Sequence, residues 1–191
     1  SEKVLDEIKF SFIRQSEPNG LGHAILQAKH IITDDFFGII LADDLILSEP
    51  GCLKQLLEIH EKTQSSVLGV FSASENQVSN YGVISSKNID GIEKVDGIVE
   101  KPKPADAPSN LAVFGRYILS KDIFLNIEQT KPGLNNEIQL TDAIHNLISN
   151  QDVFALEFEG KRFDCGSKEG YISAIIDRAL SIDKYKSIIE K

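Results

Sequence analysis

The 191 residues include no methionine, no tryptophan and only two cysteines, Cys52 and Cys165, which are far apart and fit no CxxC pattern. A disulfide scaffold is therefore not expected. The four histidines, His23, His30, His60 and His145, show neither HExxH nor zinc-finger spacing, so they read as surface or helix-face residues rather than a zinc site. Basic residues are outnumbered: 20 Lys and Arg against 29 Asp and Glu give a net charge of −9 and a pI near 4.9. Such a chain offers no cationic footprint for a nucleic-acid backbone or an anionic membrane. No apolar run approaches the roughly 18 residues of a membrane span. The acidic start, residues 1–7, lacks the basic and apolar regions of a signal peptide, and a cytoplasmic address is the expectation. There is no GxxxxGK[ST] P-loop, no full GxGxxG, and no Ser/His/Asp or Cys/His spacing that would propose a nucleophile.

What is present is an ordinary globular composition, 41% hydrophobic and 26% charged, long enough for one domain. Strand and helix signals alternate, which predicts an α/β fold. Residues 8–14 read as a strand, and Gly20, Leu21 and Gly22 lead into a helix over 23–32. The run 37–41 has no polar alternation, as expected of a central strand covered on both faces, and it ends in Ala42, Asp43, Asp44. Residues 52–63 place Leu53, Leu56, Leu57 and His60 on one helical face. A strand over 66–71 follows. Between 81 and 102 the apolar spacing predicts short strands with turns at 88–91 and 96–97. A strand over 111–119 is interrupted by Gly115 and Arg116. A helix over 137–149 has Asn135 or Asn136 available as its cap. A strand over 153–158 precedes Phe163, Asp164, Cys165 and Gly166, and a last helix from Ser167 is expected to bury Ile172, Ile175, Ile176, Ala179 and Leu180.

Three places could carry chemistry. Asp43 and Asp44 follow an apolar strand, where open α/β sheets place their ligand crevice, and Asp164 follows another; such carboxylates could share a Mg2+ with water and phosphate oxygens. They could equally be turn residues. Gly20 and Gly22 could bring backbone N–H groups against an anion or a base edge, or simply make a tight turn. Glu100 and Lys101, held extended before Pro102, could divide sugar hydroxyls and phosphate between them, or form a solvated pair.

Taken in order, QSEPNGLGHA (residues 15–24), ILADD (40–44), NYGVI (80–84), VEKPKPADAPSNLAVFGRYIL (99–119), NNEIQLTDAI (135–144) and FDCGSKEGY (163–171) closely resemble bacterial UTP:glucose-1-phosphate uridylyltransferases, from about residue 10 to 180. The resemblance implies a Rossmann-like α/β nucleotidyltransferase fold with a mixed, mostly parallel central sheet. It also implies attack of the sugar phosphate on the α-phosphorus of UTP, with Mg2+ neutralising charge and UDP-glucose and pyrophosphate as products. By the same resemblance Gln15 and Gly20 read the uracil edge, and Asp43 and Asp164 hold Mg2+, with Asp44 behind them. Gly82, Glu100, the Val113 backbone and Glu137 meet glucose; Lys101 binds phosphate and, with Asp43, is assigned to catalysis. A homo-oligomer, dimer or tetramer, is implied too. The glycine-rich GxGTRxxPxTK segment of that family has no counterpart here. The expectation is therefore a single sugar nucleotidyltransferase domain over 1–191, incomplete at its N terminus, poorly active alone and prone to associate through uncovered apolar surface. A sister enzyme using dTTP or ATP, or a non-catalytic sugar-nucleotide binding module, are the alternatives.

Overall fold

The computed structural model describes residues 8–189. The elements run α1 (Leu21–Leu26), β1 (Phe36–Ile40), β2 (Asp44–Leu47), α2 (Cys52–Thr63), β3 (Ser66–Ser72), β4 (Gly82–Ile89) and β5 (Ile92–Glu100). They continue with β6 (Leu111–Ser120), α3 (Ile123–Gln129), α4 (Leu140–Ile148), β7 (Val153–Glu157), β8 (Lys161–Asp164), α5 (Lys168–Leu180) and α6 (Asp183–Ile189). Six strands form one sheet in the order β1-β6-β3-β7-β5-β4, and β2 pairs with β8 in a separate two-stranded sheet.

The α/β class and the mixed sheet agree with the sequence reading, but the expected parallel majority is reversed. Among the described pairings of the large sheet only β3–β7 is parallel. The reason lies in the connections. Asp90 and Gly91, both at positive φ, close β4 and β5 into a tight hairpin, and β6 runs antiparallel to each of its strand partners.

Burial follows from alternation along β6. Phe114 and Ile118 point to the face covered by α2, where they meet Leu56, Cys52 and Val67. Val113, Tyr117 and Leu119 point to the opposite face, where α3 and α4 bring Ile123, Ile127, Leu140, Ile144 and Leu147. Helix α2 forms over the expected span, but its buried stripe is Cys52, Gln55 and Leu56, while Leu57 is 41% exposed. The glutamine is tolerated inside because its amide is fully used: Nε2 donates to the carbonyls of Pro50 and Glu159, and Oε1 accepts from the Glu159 N–H, each at 2.9 Å.

Several expectations are corrected. Residues 8–14 are not a strand: their apolar residues alternate, but they pair with no sheet edge, and Phe12 is 96% exposed. The helix predicted over 23–32 is the shorter α1, followed by turns. Strand β1 lies at the sheet edge rather than its centre, with Ile40 59% exposed. Asp96 and Gly97 make no turn; Ser85 pairs with Gly97 and Ser86 with Val95, so Asp96 is the extra residue of a bulge inside β5. Asn135 and Asn136 do not cap α4. Both take left-handed φ near 60° in the preceding turn, which asparagine accepts more readily than most residues, and Gln139 stands at the helix start. Helix α5 starts after Ser167, whose side chain caps it, yet it buries only Ala174 among the described residues, leaving Ile172 and Ile175 more than half exposed. Its main neighbours are β8 and α6, and Ile172, Ile175 and Ile176 stay exposed beside them. No helix among the described residues is long and apolar enough to cross a membrane.

Burial pushes the Cys52 thiol up to about 11, against a smaller opposing pull from Arg116. A pKa raised in the folded state favours folding below the unfolded value of 9.0 and loses that contribution as pH rises through about 11. Stability is thus expected to fall above pH 9, where Cys52→Ala should flatten the dependence; urea midpoints at about pH 8 and about pH 10.5 measure both slopes. An equally steep fall in the alanine variant contradicts the assignment.

Candidate active site

One cleft, about 370 Å³ in volume, gathers eight of the candidate site residues singled out from the sequence: Asp43, Asp44, Gly82, Glu100, Lys101, Val113, Glu137 and Asp164. The β2–β8 ladder explains the carboxylate end. It sets Asp44 opposite Asp164, and the N–H of Cys165 donates to the Asp43 carbonyl at 2.7 Å, so the two chain segments lie side by side. Asp164 does not follow an apolar strand as expected; it closes β8, whose sequence is KRFD. A Cβ built on Gly166 would sit 3.1 Å from Asp164 Oδ1 and 3.3 Å from Asp43 Oδ2. The two carboxylates therefore border one small gap that a glycine keeps open. Two carboxylates with room for water and phosphate oxygens fit a hard divalent cation such as Mg2+ better than a closed protein cage. Among the described residues no group of three or more His, Cys, Asp or Glu forms such a cage.

Asp44 also lines this end, but it is held largely from within. It is 7% exposed; its Oδ2 accepts from the Gly115 N–H at 2.8 Å and its Oδ1 from Arg162 Nε at 2.5 Å. Strand β6 runs unbroken through Gly115 and Arg116, and the break in its apolar pattern there has a cause. A Cβ at Gly115 would come within 2.5 Å of Leu41 Cβ and 2.8 Å of Asp44 Oδ2, while Arg116 donates to the carbonyls of Leu41 and Asp44 and pins the turn between them. Arg162, absent from the sequence-based candidates, is the hub. Its guanidinium lies 4.5 Å from the Phe71 ring centroid, 4.9 Å from Tyr81 and 5.8 Å from Phe114, and it donates to Tyr81 Oη at 3.3 Å. Burial opposes its charge, but the hydrogen bond to Tyr81 and the Asp44 charge outweigh that and raise its pKa. Burial is also the main cause of the raised Tyr81 pKa, so its hydroxyl keeps its proton and donates to Asp164 Oδ2 at 2.9 Å. The signal for Arg162 was present in the sequence: it stands two residues before Asp164 on a strand, hence on the same face.

At the other end, Glu100 Oε2 accepts from the Thr141 hydroxyl at 2.8 Å, and Lys101 Nζ lies 3.5 Å from Glu100 Oε1. Gly82 pairs with Glu100 across the β4–β5 ladder. A Cβ there would come within 2.5 Å of Thr141 Cγ2 and 3.0 Å of Val113 Cγ2, closing the floor of the cleft. Lys101 is not extended before Pro102 as expected: it holds φ at 45°, a left-handed conformation, with its N–H donating to the Tyr81 carbonyl at 3.0 Å. Thr141 was not foreseen, because its helix was read for its apolar face.

Gln15 and Gly20 do not line the cleft; Leu21 does. Gly20, at φ 96°, packs so closely on Glu137 and Ile138 that an added Cβ would lie 2.8 Å from Glu137 Cβ, and the Gly22 N–H donates to the Ile138 carbonyl at 2.9 Å. The two glycines thus spend their close approach on protein backbone. Gln15 Nε2 donates to the Gly20 carbonyl at 3.2 Å and lies 2.9 Å from His23 Nδ1, tying residue 15 to the same wall.

Residues 2–179 match the family model described as nucleotidyl transferase. The chain is 47% identical over 175 residues to the UTP--glucose-1-phosphate uridylyltransferase of Pseudomonas aeruginosa, covering 90% of this chain and 63% of that protein. It is 45% identical over 193 residues to UTP--glucose-1-phosphate uridylyltransferase 2 of Streptococcus pyogenes serotype M3, covering 96% and 64%. It therefore spans less than two thirds of the length of these curated relatives. A solved UDP-glucose pyrophosphorylase complexed with UDP-glucose superposes with a TM-score of 0.91 at 43% identity, over 95% of this chain and 70% of that one. On these matches the chain belongs to the nucleotidyl transferase family.

Proposed function

We propose that this cleft serves a UTP:glucose-1-phosphate uridylyltransferase, which passes a uridylyl group from UTP to glucose 1-phosphate and yields UDP-glucose and pyrophosphate. The observation that carries the reading is the placement of the Glu100–Thr141–Lys101 cluster and the Asp43–Asp164 pair in one cleft. Glu100, oriented by Thr141, accepts hydrogen bonds from glucose hydroxyls, with Glu137 and the Val113 backbone adding to them and Gly82 leaving the space. Lys101 supplies a mobile point charge for the sugar phosphate. Asp43 and Asp164 would hold Mg2+, which when bound neutralises charge on the phosphates. Gln15 and Gly20 shape the wall on which the uracil edge is read. A phosphate oxygen of the substrate attacks the α-phosphorus in line and pyrophosphate leaves, so positioning and charge suffice and no protein nucleophile is needed. The same reading carries a single domain, a cytoplasmic address and self-association as a dimer or tetramer.

The test is calorimetric titration of UDP-glucose into the wild-type chain and Glu100→Ala, with dTDP-glucose and ADP-glucose as competitors. Loss of a charged acceptor that also satisfies Thr141 should weaken UDP-glucose by roughly 10- to 100-fold. Unchanged affinity, or stronger binding of either competitor, overturns the proposal.

A further inference from the structure

Tyr81 touches both ends of the cleft. Its hydroxyl donates to Asp164 Oδ2 at 2.9 Å, and Arg162 Nη1 donates to the same hydroxyl at 3.3 Å, which fixes the direction of the Tyr81 proton toward the carboxylate. With Oδ2 so engaged, Oδ1 is the oxygen that accepts from the Gly166 N–H at 3.1 Å and borders the gap shared with Asp43. The hydroxyl thus selects which Asp164 oxygen faces the cation position. The ring is locked from two sides, edge-on to Phe71 at 5.2 Å between centroids and under the Arg162 guanidinium. Its main chain meanwhile accepts from the Lys101 N–H and leads directly into Gly82, the residue opposite Glu100.

We propose that Tyr81 is a positioning residue that couples the two ends: its hydroxyl orients Asp164 for a divalent cation, its main chain fixes Gly82, Glu100 and Lys101, and cation and sugar phosphate therefore bind cooperatively. This rests on the function proposed above and extends it to a linkage between two ligands. Coupling of this kind is reciprocal, so either ligand should tighten the other by the same factor. Partners behind a metal-binding side chain commonly carry tenfold or more of its affinity.

The experiment uses Tyr81→Phe, which keeps the ring in its packing and deletes only the hydroxyl. Free Mn2+ is followed by electron paramagnetic resonance during titration of the wild-type chain and the variant, alone and with saturating glucose 1-phosphate. The wild type should bind Mn2+, and glucose 1-phosphate should tighten it by about fivefold or more. In Tyr81→Phe, Mn2+ affinity should fall by about tenfold and the enhancement should fall toward one, while the thermal midpoint stays within about 3 °C. A role in packing alone would move the midpoint and leave the enhancement intact. Equal Mn2+ binding by the two proteins, or an enhancement that persists without the hydroxyl because phosphate ligates the ion directly, overturns the inference and leaves the proposed function standing. A wild-type chain that binds no Mn2+ at all removes the cation site itself, and the inference with it.

Discussion

Arg162→Met is expected to destabilise the chain by about 3–5 kcal/mol, the usual loss when one partner of a buried ion pair is removed. Methionine retains much of the apolar contact with Phe71, Tyr81 and Phe114. It leaves Asp44, 7% exposed, with the Gly115 N–H but without its cation. The penalty comes from the stranded carboxylate rather than from lost packing. Adding Asp44→Asn should accordingly restore much of the stability, because a neutral amide costs far less to bury than a charge. Urea unfolding at neutral pH gives both quantities. A single variant within about 1 kcal/mol of wild type, or a double variant no better than the single, would mean that water screens the pair despite its burial.

Gly170→Ala is the second large effect, and its sign runs against helix propensity. Gly170 lies in the first turn of α5, where alanine would ordinarily add up to about 1 kcal/mol. Here a methyl group would overlap the carbonyl oxygen of Asp164, a backbone atom that cannot rotate away, and would crowd the Ser167 Oγ that caps the helix. Overpacking costs about 1–3 kcal/mol when neighbours adjust, so the variant should be less stable overall. Relief requires α5 to shift or Asp164 to move, and moving Asp164 separates it from Asp43. Differential scanning calorimetry should show a lower midpoint, and Mn2+ binding should weaken in parallel. A variant that unfolds at higher temperature than wild type would show that the helix start has slack after all.

Local pattern was a sound guide wherever the chain itself supplies both partners of a contact. Helix α2 falls on its expected span because its apolar residues meet β3 and β6. The hairpin of β4 and β5 was legible from Asp90 and Gly91, since a tight turn brings its own strands together. The failures share a cause. Alternation over 8–14 and the helical stripe of α5 each announce an apolar face, but whether anything covers that face depends on the rest of the assembly and not on the segment. Strand direction, expected to be mostly parallel from the family resemblance, is decided by the connections: the tight β4–β5 hairpin and the course of β6 make antiparallel pairs. The apolar run that became β1 did not report burial on two sides either, because it lies at the sheet edge. In the site, single residues beside strand ends were visible, whereas Arg162 and Thr141 required knowing which strands and helices stand next to each other.

The left-handed Lys101 bears on how this protein would respond to selection. A non-glycine residue in that conformation gives up about 1–2 kcal/mol, and glycine would recover part of it. A library screened for heat resistance alone should drift toward glycine at position 101, and one screened for capture of a phosphorylated sugar should return lysine. Opposite winners at one position would reveal where the molecule trades durability for the work of its cleft.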